Sequence, residues 1–134
     1  MTVLITGGLG YIGSNVALSF LEAGQRVVIV DNLENSYREI YNQITELAPV
    51  GSNVTLYEVD YGDLAKMNKV FEKHCPDTVI HLAAYKSISD SITSPLKYYD
   101  NNVSKLVQLL ELCSRFSVSK FVFSSSPSVY SCCG

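Results

Sequence analysis

Three glycines at three-residue intervals, Gly7, Gly10 and Gly13, sit in the run Thr6-Gly7-Gly8-Leu9-Gly10-Tyr11-Ile12-Gly13. An apolar, β-branched stretch precedes them and a helical pattern follows. Side chains at such a turn would hold a pyrophosphate away from the backbone amides at a helix N-terminus. Those amides lack partners, and the helix dipole favours an anion there. Turn glycines with no ligand are the alternative. Context favours the anion, since strand, glycines, helix and second strand fit within about 30 residues, as a dinucleotide-binding unit requires. Asp31 closes that second strand. A carboxylate in this place accepts from a ribose 2′-OH and repels a 2′-phosphate, which points to NAD rather than NADP. An Asp that merely opens a turn with Asn32 is the competing reading.

Further polar groups fall at the ends of later strands, where ligands collect in doubly wound sheets. Asp60 follows the third strand and could accept from an adenine amino group, or cap the turn before Gly62. Beyond the fourth strand, Ala83 and Ala84 leave room for a flat ring, and Lys86 could reach ribose or phosphate oxygens. His81 lies inside a buried run and reads as a structural histidine before an acid or base. Asn102 shares a helix face with Tyr99 and Leu106, so its amide needs a buried partner or a cofactor. Ser124, Ser125 and Ser126 end the fifth strand and could donate to a substrate oxygen. No neighbouring His makes any of them part of a hydrolase triad.

The elements that must place these residues alternate from end to end. Continuous apolar runs at 2–6, 26–31, 78–82 and 120–124, with an alternating run at 54–59, predict five strands. Apolar residues at helical spacing predict helices over 11–23, 35–47, 64–74 (capped by Asp63) and 95–116. The fold class is therefore α/β, a Rossmann-like doubly wound parallel sheet of five strands. The whole chain, 1–134, reads as one dinucleotide-binding domain with no internal boundary. Its 134 residues, 47% hydrophobic with a net charge of −3, are too apolar for disorder and lack the basic balance of a nucleic-acid binder. There is no membrane-length apolar run and no signal peptide, so a cytoplasmic protein is expected. The four cysteines have neither disulfide-framework nor metal spacing, and no metal is expected.

Taken together, Thr6–Ser14 with Asp31-Asn32-Leu33 resembles the extended short-chain dehydrogenase/reductases. Val79-Ile80-His81, Lys86 with Ser87–Ser91, Pro95–Asn102 and Lys120–Ser126 narrow the resemblance to the UDP-glucose 4-epimerases, most nearly fungal ones. The likeness spans the chain but only the N-terminal part of the family, which continues into a substrate domain. It implies pyrophosphate binding at Gly7, Gly10, Tyr11, Ile12 and Gly13, adenosine-ribose recognition at Asp31 and Asn32, and adenine contact at Asp60. Lys86 would touch the nicotinamide ribose, Asn102 would lie beside the cofactor, and Ser126 would be the catalytic serine on the sugar 4-oxygen. Family members interconvert UDP-glucose and UDP-galactose in galactose metabolism, NAD taking hydride from C4 and returning it to the other face.

Three departures matter. Pro127 stands where a small residue is usual, and its fixed φ could redirect the backbone around Ser126. Tyr61 replaces an aliphatic residue beside Asp60. None of the nine tyrosines is followed four positions later by Lys, so the family's proton-transfer pair is missing from this sequence. The chain is expected to be the NAD-binding part of an epimerase, inactive alone, with the UDP-sugar a substrate only in a full-length context. A stand-alone NAD-binding module is one alternative, and a fragment of another NAD-dependent nucleotide-sugar epimerase or dehydratase is a second. A dehydratase is disfavoured because Pro127 and Ser128 replace its acidic pair. Half of the family's dimer helix pair also lies outside the chain, which argues against a homodimer.

Overall fold

The computed structural model describes residues 1–34, 36–83, 95–96 and 103–124. Five parallel strands, β1 (Thr2–Thr6), β2 (Arg26–Val30), β3 (Val54–Tyr57), β4 (Thr78–His81) and β5 (Lys120–Phe123), form one sheet in the order β3-β2-β1-β4-β5. Parallel neighbours need crossovers. These are supplied by α1 (Tyr11–Glu22), α2 (Arg38–Leu47), α3 (Leu64–His74) and α4 (Lys105–Arg115). The order reverses between β1 and β4, whose register pairs Thr6 with His81 at the carboxyl ends.

Period-two alternation sorts each strand between two cores. Leu4, Val28, Val30 and Val79 join Met67, Val70 and Phe71 of α3 and Leu109, Leu112 and Cys113 of α4. Val3, Ile5, Val27, Ile29 and Ile80 face the other way, onto Ala17 and Leu21 of α1 and Ile44 of α2. The sheet is thus covered on both faces, the doubly wound arrangement expected. β1 is buried along its full length, and each such aliphatic side chain contributes roughly 1.5–3 kcal/mol. Among the described residues no helix is long and apolar enough to cross a membrane.

β2, β4, β5 and α1 each end one residue earlier than predicted, and two boundaries differ by more. α2 starts at Arg38, after an extended Tyr37, because the residues before it are held in a turn by Asp31. β3 stops at Tyr57, where the Val59 N–H turns back onto the Tyr57 carbonyl at 3.0 Å. The predicted 95–116 helix is described at 95–96 and, as α4, at Lys105–Arg115.

Candidate functional site

The glycine turn links β1 to α1 at the point where the strand order reverses. Gly7 has φ +69°, and a Cβ there would lie 2.8 Å from the Ala83 nitrogen. The two loops leaving the switch point therefore touch backbone to backbone. A Cβ on Gly13 would fall 2.3 Å from the Gly7 carbonyl oxygen, and one on Gly8 would fall 2.6 Å from Ile29 Cγ2. These three glycines are required by the protein's own packing. Gly10 is different: its φ is −73°, and its nearest neighbour, the Gly7 oxygen, lies at an ordinary 3.4 Å. Among the described residues, nothing demands glycine at position 10.

Gly10 is also the N-cap of α1, so no side chain satisfies the first turn, and no acidic residue follows in it. The Ser14 N–H makes the first helical bond, to the Gly10 carbonyl at 2.9 Å. The N–H groups of Tyr11, Ile12 and Gly13 precede it, where the helix supplies no acceptors. Both the Tyr11 and the Ile12 side chain are exposed. The result, among the described residues, is a helix N-terminus with no side-chain cap.

Asp31 is nearly fully buried and binds both sides of this turn. Its Oδ2 accepts from the Leu9 N–H at 3.1 Å, inside the glycine run. Its Oδ1 accepts from the Leu33 N–H and the Ser36 hydroxyl, each at 2.8 Å. Leu33 has φ +62°, a strained value for a branched side chain, and the bond from its N–H offsets that strain. Asp31 is therefore both a carboxylate at the binding edge and the tie between the phosphate-type loop and the β2–α2 loop. Asn32 is exposed, and its Oδ1 accepts from the Glu34 N–H at 3.0 Å. Asp60 does cap its turn, accepting the Gly62 N–H at 2.8 Å on Oδ1, while Oδ2 accepts from Lys105 Nζ at 2.7 Å. Tyr61 is buried and meets the His81 ring edge-on, centroids 4.7 Å apart.

His81 has the structural environment expected of it. Burial lowers its pKa to about 4, so the ring is neutral at physiological pH. Thr6 Oγ1 accepts from the Ala83 N–H at 3.3 Å and shares the Leu82 N–H, at 3.2 Å, with the Thr6 carbonyl oxygen at 3.1 Å. With both lone pairs used, its proton goes to His81 Nδ1 at 2.7 Å. His81 is then the Nε2–H tautomer, and the pair pins the exit of β4 against the glycine turn. Thr6 escaped the sequence reading, although one polar residue ending an apolar strand was the available signal. Ser36 and Lys105 escaped it too, because their partners are set by the fold. Lys86, Asn102 and Ser126 lie outside the described residues. Among the described residues there is no His, Cys, Asp and Glu cluster suited to a metal ion.

The NAD dependent epimerase/dehydratase family matches residues 3–133 of the chain. The UDP-glucose 4-epimerase of Bacillus subtilis is 41% identical over 130 residues, covering 97% of this chain and 38% of that protein. The Schizosaccharomyces pombe enzyme uge1 is 45% identical over 129 residues, covering 96% and 36%. Bacterial and fungal relatives are comparably similar, so fungal forms are not set apart. The UDP-glucose 4-epimerase of Bifidobacterium longum, solved in complex with NAD+ and UDP, superposes with a TM-score of 0.91 at 37% identity. That match covers 97% of this chain and 38% of that one. The chain thus spans under two-fifths of the length of these relatives. With the family model matched over residues 3–133, nearly the whole chain, the chain belongs to the NAD dependent epimerase/dehydratase family.

Proposed function

We propose that the chain is the NAD-binding portion of a UDP-glucose 4-epimerase. The observation that carries this reading is Gly10, a glycine that neither its backbone angle nor its neighbours require, placed as the cap of a helix N-terminus with no acidic side chain. Close approach of a pyrophosphate supplies the missing reason. Backbone amides of Tyr11, Ile12 and Gly13 would hold that pyrophosphate, with Gly10 leaving space over the cap and Gly7, whose carbonyl accepts the Gly10 N–H at 3.1 Å, shaping the turn. Asp31, aided by Asn32, would accept from the adenosine ribose, and its charge would turn away a 2′-phosphate. Asp60 would face the adenine. Lys86 and Asn102 would complete the cofactor contacts, and Ser126 would bond the sugar 4-oxygen, as the family resemblance implies.

When bound, the nicotinamide would accept and return the hydride at C4 of a UDP-sugar. The described residues bind and orient; they place no proton-transfer group at a sugar hydroxyl. His81 is neutral, buried and engaged with Thr6. None of the nine tyrosines has Lys four positions on, so this chain alone is proposed to bind NAD and to leave UDP-galactose unchanged. Isothermal titration of the chain with NAD tests the binding, and no heat from a folded sample would reject it. A coupled UDP-galactose assay tests the second statement, which any turnover above background would overturn.

A further inference from the structure

The cofactor reading gives the adenosine ribose to Asp31, and two anchors bring a guanidinium to that same edge. Arg38 opens α2 two residues after Ser36, whose hydroxyl donates to Asp31 Oδ1 at 2.8 Å. Its guanidinium donates through Nη1 to Glu58 Oε1. Glu58 leaves the sheet beside Asp31: Val30 and Tyr57 are paired in register, and the Asp31 N–H donates to the Tyr57 carbonyl at 3.1 Å. The same carbonyl accepts the Val59 N–H at 3.0 Å, which makes Glu58 the apex of a tight turn at the end of β3. The Arg38 and Glu58 side chains are 61% and 41% exposed, so the pair is open to the solvent from which a dinucleotide would arrive. Among the described residues Glu58 is the guanidinium's one partner.

We infer that Glu58 is a second determinant of the choice between NAD and NADP, because it occupies Arg38 and withholds that guanidinium from a 2′-phosphate. The inference deepens the cofactor reading above and rests on it. In dinucleotide sites an acidic residue after the second strand accepts from the ribose 2′-OH, whereas a nearby Arg accommodates a 2′-phosphate. This chain holds both residue types at one edge. A guanidinium carries five N–H donors in a planar fork that matches phosphate oxygens, and it stays charged at physiological pH. Paired with Glu58 it adds no net charge to the edge, so a 2′-phosphate meets Asp31 uncompensated. To reach the guanidinium, the phosphate must displace one carboxylate and then lie beside two, Glu58 and Asp31. The neutral 2′-OH of NAD makes no such demand. An exposed ion pair adds little to stability, so breaking this one should change the choice of ligand and leave the fold intact.

Titration calorimetry of the chain with NAD and with NADP, at one low ionic strength, gives the ratio of the two affinities. Glu58→Gln keeps the length of the side chain and removes its charge. It should leave NAD affinity within about twofold and move the ratio about tenfold toward NADP, the size of one charge-assisted contact at a partly solvated edge. Adding Arg38→Met to Glu58→Gln should return the ratio close to its parental value, which separates a freed guanidinium from the mere loss of a negative charge. Thermal denaturation checks that each variant is folded, and Glu58→Ser serves should Glu58→Gln fail to fold. A ratio unmoved by the Glu58 substitution, NADP binding that stays undetectable included, overturns the inference. So does a shift toward NADP that persists in the double variant. Failure of the folded, unaltered chain to bind NAD overturns the cofactor reading itself, and the inference with it.

Discussion

Gly10→Ala separates a glycine kept for the ligand from one kept for the fold. At position 10 a methyl group meets, among the described residues, only the Gly7 oxygen at 3.4 Å, and φ −73° suits alanine. The stability change has two small parts. Alanine is the poorer N-cap, a loss of about 0.5 kcal/mol or somewhat more, and it restricts the unfolded chain, a gain of about 0.4–1 kcal/mol. They nearly cancel, so Tm should move by no more than about 2–3 °C. Gly13→Ala is the control, because its methyl would fall 2.3 Å from the Gly7 oxygen and 2.8 Å from the Gly8 Cα, both backbone. Relief requires α1 to shift off the turn, costing about 1–3 kcal/mol or more, or roughly 3–15 °C in a domain of this size. Thermal denaturation followed by circular dichroism, paired with NAD calorimetry, reads both. Gly10→Ala should melt like the parent and lose at least about tenfold in affinity, since a methyl over the cap blocks the anion's approach. Parental affinity in Gly10→Ala would refute the reasoning, because the glycine would then serve neither fold nor ligand.

Other expectations follow from the same geometry. His81 titrates near 4 in the folded chain against about 6.5 unfolded, so the unfolded state binds the extra proton between those values. Stability should be level above pH 6.5 and fall by about 2–3 kcal/mol on acidification to pH 4, with no further His81 contribution below. Urea denaturation across that range checks it, and His81→Asn, which keeps an acceptor for Thr6 but cannot titrate, should flatten the slope. Asp31→Ala strips the Leu9 N–H, Leu33 N–H and Ser36 hydroxyl of their acceptor. It should cost about 2–4 kcal/mol in denaturant unfolding and narrow the preference for NAD over NADP. Ser36→Ala should cost only about 1 kcal/mol, and equal losses in the two variants would contradict the Asp31 tie. Thr6→Val keeps the shape of the residue and removes the hydroxyl that serves Leu82, Ala83 and His81. A destabilisation of about 1–3 kcal/mol is expected in the same assay, and a neutral result would remove Thr6 from the scheme.

What could be read in advance was whatever depends on local periodicity. The strand runs at 2–6 and 26–31 read as continuous apolar because both faces are covered. The helix pattern at 64–74 carries its own N-cap, Asp63, which accepts the Lys66 N–H. Asp31 was legible as a carboxylate at a strand end, but its three donors were not. Leu9 offers only a backbone N–H, and Ser36 is one hydroxyl among many. Their convergence needs β1 and β2 paired in register, Thr6 beside Val30. The misplaced start of α2 has the same origin: the pattern over 35–47 is helical, yet Asp31 draws Leu33 and Ser36 into a turn before it can begin. Asp60 shows the limit most clearly. Turn cap and adenine contact read as alternatives in the sequence, yet a carboxylate has two oxygens. One caps Gly62, and the other is held by a lysine 45 residues away. The strand end thus presents an ion pair in place of a lone acceptor. Charge placed from a distant helix therefore decides what this edge presents, and the residue type at the strand end does not reveal it.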